Sequence, residues 1–263
     1  RGEDWFIHFQ DADDYGRIVH LQPMVWKNDW PVIGVDADGD GCGEPVLMYK
    51  KPIVSKSYTI VTPPESDEFD SLNLGLQWQW HANPQITWSY QNPKDGYLRL
   101  YSVYTEGAKN LWDLPNLLLQ KLPAPAFTAT AKVSFLPDKR YKGERAGFVM
   151  MGDDYAMLAI ENTKDGLFLQ QIECLKAFKG NAEQINEQVQ LASNALFVRV
   201  VVKENARCTF AYSIDGANYT NIGKEFTAKQ GRWIGAKLGF FCQRPKWFND
   251  GGWMDIEWYR VEK

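Results

Sequence analysis

Residues 231–261 read GRWIGAKLGFFCQRPKWFNDGGWMDIEWYRV. The stretch predicts two strands joined by a long loop. Apolar side chains run through Trp233, Ile234, Leu238, Phe240 and Phe241, then return at Met254, Ile256 and Trp258. Between them, residues 244–252 are rich in Asn, Asp, Gly and Pro, which close turns. Strand side chains alternate, so Met254, Ile256 and Trp258 are expected on one face, with Asp255, Glu257 and Tyr259 on the other. An aromatic strand of this kind at the end of a chain suits the last strand of a β-sandwich.

The rest of the chain agrees with that reading. Strand candidates lie at residues 97–104, 127–135, 146–151, 155–161, 167–174, 189–191, 196–203 and 208–213. Asp165-Gly166 and Asp215-Gly216 are hairpin signals. Residues 110–122 have some helical spacing, but Pro115 interrupts it. Residues 181–190 read either as a short helix or as a polar edge strand. Many short strands without a long amphipathic helix predict an all-β chain: an antiparallel β-sandwich over residues 63–263.

Residues 1–62 read differently. Four short strands, at 5–10, 17–26, 30–35 and 45–49, match the size of one β-propeller blade. A lone blade cannot bury its own apolar faces and needs neighbours on both sides. The expectation is a partial propeller blade that belongs with further blades. A linker follows at residues 51–68, marked by Pro63-Pro64 and a Ser/Glu/Asp cluster.

Composition narrows the function classes. The 263 residues suffice for one large or two modest domains. The net charge is −4, which recommends no nucleic-acid partner. No apolar run is long enough to cross a bilayer, and the opening RGEDWF is not a signal peptide. Four widely spaced cysteines without a CxxC give no zinc or redox signature. The 11 Trp, 12 Tyr and 14 Phe are an excess of rings that either pack cores or stack on sugars.

No motif supplies a catalytic centre. The chain has no GxSxG, HExxH or phosphate loop. His8, His20 and His81 share no metal-ligand spacing. Asp36-Ala37-Asp38-Gly39-Asp40-Gly41 copies the opening of a calcium loop, but the position that requires a bidentate Glu holds Leu47, so an acidic surface turn is expected. Asp255 and Glu257 repel each other on one face unless solvated or bridged by a cation. A structural calcium ion there, with Asp67 as a further ligand, is one reading; an exposed charged face is the other. Trp233 either packs in the core or projects towards a neighbouring domain.

Taken together, several blocks resemble the C-terminal part of a glycoside hydrolase of family 43, the β-xylosidase and α-L-arabinofuranosidase group. Residues 4–52 resemble the last blade of its five-bladed propeller, and residues 67–263 its concanavalin-like β-sandwich. The blocks are NLGLQWQWHANPQITW, LPNLLLQKLPAPAFTATAKVSF, ERAGFVMMGDDYA and GRWIGAKLGFFC with MDIEWYRV. The resemblance implies an inverting, exo-acting enzyme on xylose- or arabinose-containing hemicellulose, periplasmic or secreted. Its three catalytic carboxylates belong to earlier blades and have no counterpart here, so the chain is expected to be inactive alone. Gly16-Arg17…Gln22 matches the setting of a sugar-contacting arginine. Trp233 matches an aromatic that the sandwich sends into the propeller pocket. Asp255 and Glu257 match the acidic pair of the closing strand, where the family pattern has Asp at the second place. The implied partners are xylo- or arabino-oligosaccharide and the missing blades. The rivals are a stand-alone carbohydrate-binding sandwich and a purely structural one.

Overall fold

The computed structural model describes residues 2–263. Among these residues the helical elements are three short 3-10 turns, and the regular structure is otherwise strand. The chain divides into two compact units, one of Arg1–Ala12 with Arg17–Thr62 and one of Asp13–Gly16 with Pro63–Lys263.

The first unit is a three-stranded antiparallel sheet of Asp4–Asp11, Arg17–Lys27 and Trp30–Ile33. The expected fourth strand at 45–49 is reduced to a single bridge between Val35 and Glu44. The Gln22 side chain takes over its ladder. Its amide donates to Val46 O at 3.1 Å and accepts from Val46 N at 2.9 Å, which ties the segment down without a strand. Ile7, Val19, Trp26 and Trp30 remain exposed, so the sheet buries little of its own apolar surface.

The second unit is the expected β-sandwich. One sheet has seven strands, in the order Gln184–Gln190, Gly166–Cys174, Tyr155–Thr163, Arg145–Met151, Lys237–Gln243, Leu118–Lys121 and Gln79–Trp80. The other has eight, with Trp253–Glu262 between Phe127–Leu136 and Tyr97–Tyr101. Ala129, Ala131, Val133 and Phe135 alternate into the core, facing Phe148, Leu158 and Phe240 of the opposite sheet. Of residues 181–190, ambiguous in sequence, Gln184–Gln190 form the edge strand. Residues 110–122 form a 3-10 turn, Leu111–Asp113, and then a strand.

The continuous apolar runs at 146–151 and 155–160 have a physical reason. Their inner side chains join the inter-sheet core, while Val149, Met151, Tyr155, Met157 and Ala159 pack on the outer face beneath Leu111, Leu114 and Leu117. A strand covered on both faces has no polar side to alternate with.

The closing strand departs from strict alternation. Its pairing with Phe127–Leu136 shifts register between Ile256 and Trp258, leaving Glu257 as an extra residue. Such a bulge reverses the phase of everything after it. Met254, Ile256 and Tyr259 are all buried, whereas Trp258 faces outward against Phe197, with ring centroids 5.8 Å apart. The sequence expectation that Trp258 shares a face with Met254 and Ile256, and Tyr259 the opposite one, is therefore corrected by the bulge.

One buried carboxylate organises the far end of this strand. Glu144 is fully buried and accepts from Ser102 Oγ at 2.7 Å, Gly252 N at 2.7 Å and Asp138 N at 2.5 Å. These donors come from three separate segments, so the charge is satisfied only when all are in place. Glu144→Gln places an NH2 group against a backbone N–H. It is expected to cost about 3 kcal/mol, a fall of roughly 6–12 °C in melting temperature. An unchanged thermal melt would refute this role.

Candidate functional site

Gly231 and Ile234 form an isolated antiparallel bridge, which places Arg232 and Trp233 at the tip of a two-residue turn. The strand expected to begin at Trp233 begins instead at Lys237. Trp233 has φ of +64°, in the left-handed region, and is 81 % exposed. A bulky side chain there costs about 1–3 kcal/mol and persists only where its surroundings dictate it.

The surroundings do dictate it. The 3-10 turn Asp13–Tyr15 grips both legs of the hairpin. Ala236 N donates to Asp14 O at 2.7 Å, and Gln230 N donates to the Asp14 carboxylate at 3.0 Å. Tyr15 fixes the turn in place: its hydroxyl donates to Pro125 O at 3.1 Å and accepts from Ala206 N at 2.9 Å. Gly235 lies flat against this turn, where an added Cβ would sit 2.4 Å from Gly16 N and 2.5 Å from the Tyr15 carbonyl carbon.

A line of rings leads away from the hairpin. The Arg232 guanidinium lies 5.2 Å from the Phe178 centroid; Phe178 and Trp112 are 6.2 Å apart, and Trp112 and His81 are 6.0 Å apart. The two 3-10 turns that carry Trp112 and Phe178 are stitched by Asn110, whose Nδ2 donates to Ala177 O at 3.0 Å and Asn181 O at 2.9 Å. Desolvation lowers the His81 pKa below its ordinary value, which favours the neutral ring. The result is an aromatic surface edged by the Arg232 fork. Such a surface suits the C–H faces and hydroxyl edges of neutral sugars.

Arg17 opens the second strand of the first unit, opposite Asp11. It is half-buried, with its guanidinium 4.7 Å from the Phe9 ring centroid. Gln22, the other marker of its motif, is the residue that clasps Val46.

The three carboxylates considered for calcium are committed elsewhere. Asp255 forms a two-point pair with Arg99, at 2.7 and 2.8 Å, which raises the Arg99 pKa. Glu257 pairs with Lys132 at 2.5 Å. Asp67 accepts from Phe69 N and Trp78 Nε1, each at 2.8 Å, and its backbone bridges Tyr259. This donor set does not fit a shared calcium ion, because every carboxylate already faces N–H groups or a cation. Among the described residues, Asp36, Asp38 and Asp40 do approach within 4.8 Å of one another. Their oxygens accept from N–H groups of their own turn, at Gly39, Gly41, Asp40 and Cys42. The four cysteines are free thiols, and burial pushes Cys208 up to about 12.

The sequence reading missed the Asp14–Tyr15 clamp. Its only local signal was an acidic turn of the kind normally left in water. Two outcomes follow. Gly235→Ala is expected to lower stability by about 1–3 kcal/mol in denaturant melts, since the added methyl meets backbone; unchanged stability would contradict the close packing. Excess EDTA is expected to leave the melting temperature of the chain within about 1 °C, whereas a fall of the size expected for losing a tightly bound ion, about 3 kcal/mol or more, would show a calcium site at the carboxylates.

Comparison with known proteins gives these features a setting. Residues 66–262 match the model of the β-xylosidase C-terminal concanavalin A-like domain. A β-xylosidase of Formosa agariphila is 31 % identical over 98 % of this chain and 45 % of its own length. A non-reducing end α-L-arabinofuranosidase of Bacteroides ovatus is 33 % identical over 53 % of this chain and 24 % of its own. The chain thus spans less than half the length of these curated relatives. In fold, xylan β-1,4-xylosidase from Bacillus halodurans superposes with a TM-score of 0.78 at 19 % identity, covering 100 % of this chain and 51 % of that one. The chain belongs to the family of β-xylosidase C-terminal concanavalin A-like domains found in glycoside hydrolase family 43.

Proposed function

We propose that this chain is the C-terminal portion of an exo-acting, inverting glycoside hydrolase that removes xylose or arabinose from plant hemicellulose. Trp233 supplies the aromatic wall of the sugar pocket, Arg17 contacts the sugar, and the sandwich braces the propeller. The carrying observation is Trp233 itself, a ring held outward in a strained conformation by a purpose-built clamp. The names of the relatives, a β-xylosidase and an arabinofuranosidase, point to pentose substrates.

Inverting hydrolysis needs a general acid and a general base roughly 6.5–9.5 Å apart, with a water on the far face of the sugar. In this reading both acids belong to propeller blades outside the 263 residues. Those blades also cover the apolar faces of the first unit, such as Val19 and Trp30. Arg17 suits a sugar contact because its planar fork reaches two adjacent hydroxyls. The substrate class implies a secreted or periplasmic home. Among the described residues no helix is long and apolar enough to cross a membrane.

The test is kinetic, in the enzyme that carries this chain with its full propeller. Trp233→Ala should lower kcat/KM for xylobiose or short arabino-oligosaccharides roughly tenfold, about 1.4 kcal/mol of transition-state binding, with little change in melting temperature. Unchanged kinetics would refute the role of Trp233.

A further inference from the structure

A cleft of about 990 Å³ opens in the second unit, between the end of Phe127–Leu136, the Gly166–Leu167 tip of a hairpin and residues 249–253. Its volume lies at the top of the range of about 300–1,000 Å³ usual for ligand pockets, so it has room for more than one sugar ring. It sits beyond Gln243, the last residue of the Lys237–Gln243 strand, whereas the Trp233 hairpin precedes the first. Seven strand residues rise roughly 3.3 Å each. The two features therefore lie at opposite ends of the sandwich, about 20 Å apart along the strand.

The chemistry of the lining is selective. Tyr101, Trp253, Leu136 and Leu167 supply apolar faces. Trp253 is held rigid from behind: the Arg99 guanidinium lies 4.6 Å from its ring centroid, and Asp255 locks that guanidinium at two points. The rim carries Asp138, Lys139, Arg140 and Asp250, two charges of each sign. Arg140 bridges both acids, at 2.6 Å to Asp138 and 2.7 Å to Asp250, and with Lys139 leaves the rim with no formal net charge. Beside this pair the exposed amides of Asn194 and Asn249 offer donors and acceptors in a plane. An apolar floor with a charge-balanced, amide-bearing rim disfavours ionic ligands and matches an uncharged ring with C–H faces and hydroxyl edges. Glu144, buried behind, fixes the walls by holding Ser102, Asp138 and Gly252 together.

We infer that this cleft is a second, non-catalytic saccharide site that holds a segment of a neutral pentose-based polysaccharide. The pentose class rests on the hydrolase reading above; the existence of a saccharide site rests on the cleft alone. In this arrangement Asp255 is a positioning residue for Trp253.

The test is affinity electrophoresis of the 263-residue chain in soluble arabinoxylan and in mixed-linkage β-glucan, with titration by xylohexaose. Arabinoxylan should retard the chain. Leu167→Arg, which fills the cleft, and Asn249→Ala, on an exposed loop, should each weaken xylohexaose binding at least tenfold. Leu76→Ala, at an exposed residue outside the cleft, should change it less than twofold. Thermal melts confirm that each variant is folded, and Asn249→Ala keeps the test decisive if Leu167→Arg is not. No retardation in arabinoxylan, retardation in β-glucan only, or loss of binding in Leu76→Ala with the cleft variants intact would each overturn the inference. None of these results bears on the xylobiose kinetics, so the two readings fail separately.

Discussion

The sandwich depends on one strand reaching its core at three points that strict alternation cannot supply. Met254, Ile256 and Tyr259 must all face inward, and the extra residue at Glu257 makes that possible. Tyr259 then meets Trp78, Phe148 and Phe240 in the middle of the core. Its backbone also bridges Asp67, which places the entry of the unit beside its exit. Asp255, outward by ordinary alternation, and Glu257, the extra residue of the bulge, find cations, Arg99 and Lys132, on neighbouring strands. The acidic pair that looks like a metal site in sequence is thus a consequence of the bulge and of cross-strand pairing.

The same framework sets the two ends of the sandwich to different tasks. At one end the Asp14–Tyr15 turn clamps a hairpin that carries an exposed aromatic at its tip. At the other, Glu144 gathers three loops around a cleft. Both devices use one acidic residue to satisfy backbone N–H groups from distant segments, which fixes loop shape more firmly than loop sequence can. Rigid elements that present rings and amides at defined positions are what sugar recognition requires, since each contact is weak and pre-organisation supplies much of the affinity.

Periodic patterns made much of the fold legible in advance. The short strand candidates and the hairpin signals at Asp165-Gly166 and Asp215-Gly216 identified an all-β sandwich, and the strands expected at 127–135, 155–161 and 196–203 form close to those bounds. The family resemblance added what single motifs could not: the matched blocks run through most of the sandwich. The features that escaped depend on partners remote in sequence. Nothing near Glu257 announces a bulge, because the bulge exists only against the register of Phe127–Leu136. Nothing in the segment around Glu144 announces a buried charge, because its donors lie at Ser102, Asp138 and Gly252. The left-handed Trp233 was hidden for the same reason, since the clamp that enforces it lies more than two hundred residues earlier. The fourth strand of the first unit was over-read, because a side-chain clasp from Gln22 replaces a ladder without changing the apolar pattern.

In the proposed enzyme this chain shapes and supports a sugar pocket whose reactive acids lie elsewhere. The most direct measurement is hydrolysis of an aryl β-xyloside and an aryl α-arabinofuranoside by the purified, folded 263-residue chain. No product above the uncatalysed background is expected. Steady turnover of either substrate, surviving rigorous removal of contaminating glycosidase, would contradict this expectation.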